Sequence, residues 1–298
     1  MARILLTNDD GIHASGIAAL RRAVEGLGDV LTIAPGANMS AVARSITIDR
    51  PLRPRPASFG DGFPGLALDG TPSDCVRVAL TGVYGPPPDL VVSGVNLGGN
   101  MGVDVAYSGT VAAALEAVVR GLPGLAFSVE EREPGWLDEA VPLLRAIVVQ
   151  ALEHGLPAAT ALNVNLPDRP LADIRAPRVT RLGGASCHDR LLLMVDGDGR
   201  GAAAGDGDGR EAAVDGDGRG DTAGGDGARS AVDGDGHRAV TEYAVPCDRA
   251  PAEHWAATDF EAVAAGHVSI TPLTYELFAE TALELLSAWE LDLDLLRT

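Results

Sequence analysis

The chain has 298 residues, 46% of them apolar and 4% aromatic, enough to bury one large core or two moderate ones built mainly from Ala, Val and Leu. Its formal net charge of -19, with arginine supplying every basic side chain and no lysine at all, argues against nucleic acid polymers and anionic membranes as partners. A small anionic ligand is not excluded, because a bound cation can reverse the potential locally.

Arg3 to Thr7 (RILLT) reads as a first strand that runs straight into Asn8, Asp9, Asp10 and Gly11. A helix over Ile17 to Leu27 follows, then a second strand over Asp29 to Ala34, stopped by Pro35 and Gly36. Ser45 to Asp49 and Leu66 to Leu68 suggest short extra strands, and Pro72 to Thr81 a helix with Pro72 in its first turn. Asp89 to Val95 is a buried strand leading into a glycine-rich stretch, Asn96 to Asp104, and a helix from Ser108 to Arg120. Leu125 to Val129 (strand), Leu137 to Leu152 (helix) and Thr160 to Asn165 (strand, closed by Pro167) continue the alternation. Near-continuous apolar strands alternating with helices predict an α/β fold, a Rossmann-like parallel sheet covered by helices on both faces. Such sheets gather ligands beyond the carboxyl ends of their strands. The polar clusters named here all follow strands.

From Asp173 the character changes, and the expected organisation is a catalytic core over 1–172, an extended arm over 173–257 and a returning segment over 258–298. Ile174 to Arg181 reads as a strand leaving the main body. Residues 196–238 are low-complexity, with DGDGR at Asp196, Asp206 and Asp215 and DGDGH at Asp233, which suits a flexible acidic insertion in a C-terminal β-hairpin arm. Alternating Asp and Gly resembles parts of calcium loops, but the regularly placed apolar residue of the nonapeptide roll is missing. Thr258 and Glu261 form a capping-box pattern for a short helix to Ala265; His267 to Thr271 is strand-like and ended by Pro272, and Glu280 to Trp289 suits a terminal helix. The cysteines Cys75, Cys187 and Cys247 form no CxxC pair, and neither a signal segment nor a membrane-length apolar run is present, so a soluble cytoplasmic protein is expected.

Two adjacent carboxylates repel each other, and a hard divalent cation is the usual remedy. Asp9 and Asp10 after the first strand, Asn38 to Ser40 after the second, and Asn96 after the strand from Asp89 would bring only oxygen donors to one rim of the sheet. That set suits magnesium or manganese. Gly98 and Gly99, with Ser108, Gly109 and Thr110 at a helix start, suit an anion such as phosphate. There is neither a Walker loop nor a GxGxxG fingerprint after the first strand, so metal-assisted hydrolysis of phosphate monoesters fits better than kinase or dehydrogenase chemistry.

The residues also carry a resemblance. RILLTNDDGIHASGI from Arg3, GTPSDCVRVAL from Gly70, PDLVVSGVNLGGNMGVDVAYSGTVAAALE from Pro88 and AGHVSITPL from Ala265 are similar to the SurE family, the survival-protein-E nucleotidases. The resemblance implies a 5'-nucleotidase, in some members also acting on 3'-nucleotides or short polyphosphate. It implies one divalent ion per subunit (Mg2+ or Mn2+) on Asp9, Asp10, Ser40 and Asn96, and a dimer or tetramer joined through the C-terminal arm. The chain departs from the family pattern at PGANMSA from Pro35 to Ala41, at Arg44 where histidine is common and at Leu97 where arginine is common.

The expected reaction is hydrolysis of a nucleoside monophosphate, or a related phosphomonoester, to nucleoside and phosphate. Asp9 or Asp10 would serve as general base, Asn8 would orient donors, and Asn96, Gly98, Gly99, Ser108, Gly109 and Thr110 would meet the phosphate. His13 is a candidate general acid, and Asp74 and Asp104 are candidate supporting groups. The rival expectations are a phosphatase for a specialised phosphorylated metabolite and a catalytically weak nucleotide-binding or assembly protein.

Overall fold

The computed structural model describes residues 1–58, 62–130, 137–183 and 257–276, with the short strands Cys187–Asp189, Leu192–Met194, Gly201–Ala203, Ala213–Val214, Glu242–Ala244 and Cys247–Arg249. In chain order the core elements are β1 (Ala2–Thr7), α1 (Ser15–Ala23), β2 (Gly28–Pro35), β3 (Pro54–Ser58), β4 (Pro64–Leu68), α2 (Pro72–Ala79), β5 (Leu90–Leu97) and α3 (Gly109–Val119). Then come β6 (Gly124–Val129), α4 (Val141–His154), β7 (Ala161–Leu166) and β8 (Arg175–Val179); the six short strands are β9 to β14 in the order given, followed by α5 (Asp259–Ala264) and β15 (His267–Leu273).

Side chains alternate between the two faces of a strand, and in β1 both sets are apolar. Ile4 and Leu6 pack with Leu20 of α1 and Leu144 of α4, while Leu5 packs with Val76 of α2 and Ala113 of α3. Two helical layers thus cover the two faces, which is why β1, β5 and β6 read as unbroken apolar runs.

The expected parallel sheet is a mixed one. Nine strands run in the order β3-β4-β2-β1-β5-β6-β7-β15-β8, parallel from β4 to β7. β3 is antiparallel to β4, and β15 is antiparallel to β7 and parallel to β8. The chain therefore winds outward from β1 through β2 to β4, then returns to the far side of β1 as β5. This reversal is a topological switch point: the chain after β1 and after β5 leads to helices on opposite faces, and in such sheets the ligand crevice lies outside the strand ends there.

Several sequence expectations shift. Ser45 to Asp49 is not a strand. Its backbone is taken by side chains: Thr71 Oγ1 donates to Ser45 O at 2.7 Å, and Thr47 N donates to the Asp74 carboxylate at 3.1 Å. The strand is instead the proline-bearing β3, tolerated because it is the sheet's edge. β2 runs through Pro35. β15 runs through Pro272, which pairs opposite Leu162 where β8 no longer accompanies it. β8 does not leave the main body; it is the sheet's other edge, exposed at every residue and guarded by Arg175, Pro177 and Arg178. Thr258 caps α5 through Glu261 N at 3.3 Å, but the Glu261 carboxylate reaches back to Ala257 N instead of the cap itself.

β10, β11, β12 and β13 form an antiparallel set, and β9 pairs with β14. The remainder of 196–238 and the segment Glu280 to Trp289 lie outside the described residues. No described helix is long and apolar enough to cross a membrane.

Candidate active site

β1 delivers Asn8, Asp9 and Asp10 to the mouth of the switch point. Asn8 is fully buried; its Nδ2 donates to Gly11 O at 2.9 Å, folding the turn, while its Oδ1 has no hydrogen-bond partner. Asp9 is 3% exposed and accepts from the Thr110 hydroxyl. Burial pushes its carboxyl well above the ordinary value; the Thr110 side chain and the backbone amides of Thr110, Asp9 and Gly109 pull the other way. Asp10 is half-buried and raised to about 6, first by burial and then by the charge of Asp9; its only counterweight is Leu97 N, at 3.4 Å. The two acids are thus short of positive charge, as paired carboxylates awaiting a counter-ion would be.

The helix start facing them is built by α3. Ser108 is its N-cap, its hydroxyl accepting from Val111 N at 3.1 Å. Gly109 is there because a side chain would not fit: a Cβ would meet Asp9 Cβ at 2.8 Å and Asp9 Oδ2 at 3.0 Å. The helix's positive end therefore lies directly on Asp9.

The β2 and β5 loops complete the rim. Met39 N donates to Asp9 O at 2.7 Å, and Asn38 Oδ1 accepts from Ser40 N at 2.8 Å, so the Ser40 turn is tied to the Asp9 backbone with Ser40 itself exposed. Asn96 commits its Nδ2 to Gly98 O at 2.6 Å, leaving its carbonyl oxygen for a ligand. Leu97 touches Asp10 through its backbone, so the Asn96 loop and the Asp10 turn are joined. Gly98 spends its amide on Val129 O at 3.0 Å and is not a free anion donor. Gly99 lies half-buried beside it.

Other candidates sit apart. His13 is exposed, and Asp74 is engaged by Thr47 and Thr71 in the cap of α2. Ser93 is buried in β5 with no partner, and His267 meets Ala176 O at 2.8 Å. Asp104 is half-buried in the 3-10 turn Gly102–Ala106.

What the sequence reading missed is the support beneath the glycine-rich loop. Asn165 Oδ1 accepts from Asn100 N at 2.8 Å, Asn163 and Asn165 both donate to Asn100 O, and Asn100 Nδ2 donates to Ser128 Oγ at 2.8 Å, all buried. The signal was present: two asparagines two apart share one face of β7, polar on an otherwise buried strand.

The donor chemistry fits a hard divalent cation. Carboxylate, amide and hydroxyl oxygens surround the crevice, both acids are raised by burial and Asp10 also by Asp9, and Asn8 Oδ1 is an orphaned buried acceptor. Among the described residues no three His, Cys, Asp or Glu gather as a metal cluster, and a set with only two acids would not do so.

The family model for survival protein SurE matches residues 4–189. The chain belongs to the SurE family. It is 37% identical over 287 residues to the 5'-nucleotidase SurE of Pelobacter propionicus, covering 96% of this chain and 98% of that one. It is 40% identical over 295 residues to the 5'-nucleotidase SurE of Azotobacter vinelandii, covering 98% and 99%. The SurE protein from Aquifex aeolicus, known from its crystal structure, superposes with a TM-score of 0.72 at 31% identity, covering 96% of this chain and 98% of that one. The SurE match spans the crevice residues from Asn8 to Thr110 and both strands that frame them.

Proposed function

We propose that this SurE-family chain is a divalent-metal-dependent phosphomonoesterase that hydrolyses nucleoside monophosphates to nucleoside and phosphate. The observation that carries this reading is the pair Asp9, buried, and Asp10, half-buried, at the switch point, with no cation beside them among the described residues and one of them seated on the start of α3. The names borne by the relatives, 5'-nucleotidase SurE, support the same substrate class.

Asp9, Asp10, Ser40 and Asn96 are the residues that would hold the ion. Magnesium or manganese there supplies Lewis acidity toward a phosphoryl oxygen and lowers the pKa of water. Asp9 is oriented by Thr110 and the amides of α3, which suits it to a fixed ligand role. Asp10, held by a single long hydrogen bond, is the less constrained of the two and the better placed to accept a proton. At the Ser108 to Thr110 helix start the Gly109 and Thr110 amides and the Thr110 hydroxyl are given to Asp9, so the positive end of α3 and the Ser108 hydroxyl are what remain to favour the charge that develops on the phosphoryl oxygens. Asn8 braces the turn that presents both acids. Residues 1–172 act as the catalytic core in this reading. The arm expected over 173–257, less β8, which stays in the core sheet, is the part through which subunits would associate as dimers or tetramers, and the cytoplasm is the setting.

The test is phosphate release from a panel of nucleoside monophosphates with magnesium, manganese or cobalt, with and without chelator. Release that requires metal and is abolished by chelation is expected; equal release with chelator present, or none from any nucleotide, overturns the reading. Leu97 and the PGANMSA turn, both on the rim, favour one second reading: a phosphatase for a specialised phosphorylated metabolite. Release from non-nucleotide phosphomonoesters alone would select it.

A further inference from the structure

Asp259 is the first residue of α5 and is 0% exposed. Its helix does not need it as a cap, because the Thr258 hydroxyl already accepts from Glu261 N. Its carboxylate looks outward from the helix instead: Oδ2 accepts from Gly102 N at 2.8 Å, and Oδ1 accepts from Gly183 N at 2.8 Å and Phe260 N at 3.0 Å. Only an ionised carboxylate offers two acceptor oxygens without a donor among them. Burial holds its carboxyl above the ordinary value, and the amides of Gly102, Gly183 and Phe260 pull the other way.

Gly102 opens the 3-10 turn that joins the Asn96 loop to the Ser108 helix start. One residue earlier, Met101 is buried against Phe260 and Val263 of α5, and Asn100 is held from the other side by Asn163 and Asn165 of β7. The glycine-rich loop is therefore clamped between β7 and α5. Gly183 precedes and Thr258 follows residues 184–256 in the chain, and the two ends are brought together by the parallel bridge between Arg181 and Thr258.

We infer that Asp259 is a positioning residue for the phosphate-side loop, locking Gly102 to Gly183 and so setting the Asn96 and Ser108–Thr110 donors relative to Asp9 from the root of the inserted segment. The word phosphate here rests on the function proposed above; the lock itself does not. Asn at 259 keeps the size but turns an amide donor toward one of two N–H groups, so one side of the lock opens. Ångström-scale misplacement of binding groups costs orders of magnitude in turnover.

The experiment compares wild type with Asp259→Asn, Gly183→Ala and Thr258→Ala. It reads KM and kcat for 5'-AMP with manganese, inhibition by inorganic phosphate, amide hydrogen exchange over residues 98–107, and Tm. Asp259→Asn is expected to raise KM and the phosphate inhibition constant about tenfold or more and to speed exchange in 98–107. Thr258→Ala should lower Tm yet keep wild-type KM and exchange there. Gly183→Ala covers the case in which Asp259→Asn does not fold: its methyl would meet Phe260 Cδ2 at 2.5 Å and Asp259 Oδ1 at 3.2 Å, pushing the carboxylate from the other side. Wild-type KM and exchange in Asp259→Asn, or in Gly183→Ala where it stands in, overturn the inference, as does Thr258→Ala reproducing their KM at matched loss of Tm. If wild type releases no phosphate, the nucleotidase reading falls, and exchange over 98–107 alone decides Asp259.

Discussion

Asp9 and Asp10 are neighbours in the chain but not in circumstance. Asp9 is clamped by Thr110 and the amides of α3, whereas Asp10 leans on one distant amide. Replacing Asp10, the proton acceptor in this account, with Asn should cut turnover by about 10²–10⁴-fold with circular dichroism unchanged, the range lost with a positioned acid or base. Thr110→Val should weaken manganese binding by about 10–100-fold in calorimetry, as losing a ligand's supporting partner does. Asp10 carries a pH signature. Its folded pKa, about 6, lies above the ordinary 3.8, so in that interval the folded chain holds a proton that the unfolded chain has released. Its contribution to stability in chelator is therefore full below about pH 4 and is lost as pH rises through about 6. Asp10→Asn should remove that slope and raise Tm in chelator at pH 7.5, while abolishing the rise on adding manganese; a Tm below wild type in chelator would contradict the strain assigned to this pair. The acids and Asn96 were legible in the sequence because each directly follows a strand-like run. The bond from Thr110 to Asp9 was not, since it joins residues far apart in the chain through the seating of one helix on one turn.

At the scale of elements, the apolar runs from Arg3 to Thr7, Asp89 to Val95 and Leu125 to Val129 all became interior strands, because burial on both faces leaves a signal composed of side chains alone. Edges were less legible. β3 carries prolines and little apolar character, and its pairing is decided by β4, not by its own residues. Ser45 to Asp49 looked the better strand, yet its backbone is claimed by Thr71 and Asp74. That capping arrangement can be weighed: Thr71→Ala should cost about 1 kcal/mol in urea unfolding, the usual worth of an N-cap, plus whatever order it lends to residues 45–47. The start of α3 is stricter. Gly109→Ala drives a methyl into Asp9, so it should destabilise by about 1–3 kcal/mol and lose metal-dependent activity together, whereas a loss of stability with normal activity would mean Asp9 is free to move.

For the molecule as a whole, the α/β class was readable from alternation, which also put the candidate site at the strand ends, but the mixed character of the sheet was not. Nothing in AGHVSITPL says that β15 will lie antiparallel beside β7 and seat β8 at the edge; that is a matter of closure, fixed by which face remained uncovered. Placing the acids at a switch point between β1 and β5 also makes ligand binding report on the whole sheet. Manganese at a hundredfold excess over its Kd should stabilise the chain by about 2.7 kcal/mol, seen as a higher Tm that chelator reverses. An unshifted Tm would remove the metal from the account.

The clamp on Gly102 has a consequence for biosynthesis. In translation the acids precede the glycine-rich turn, and Asp259 follows only after residues 184–256. A growing polypeptide thus carries Asp9 and Asp10 before Gly102 can be locked, and the lock closes only once α5 has been made and seated beside that turn.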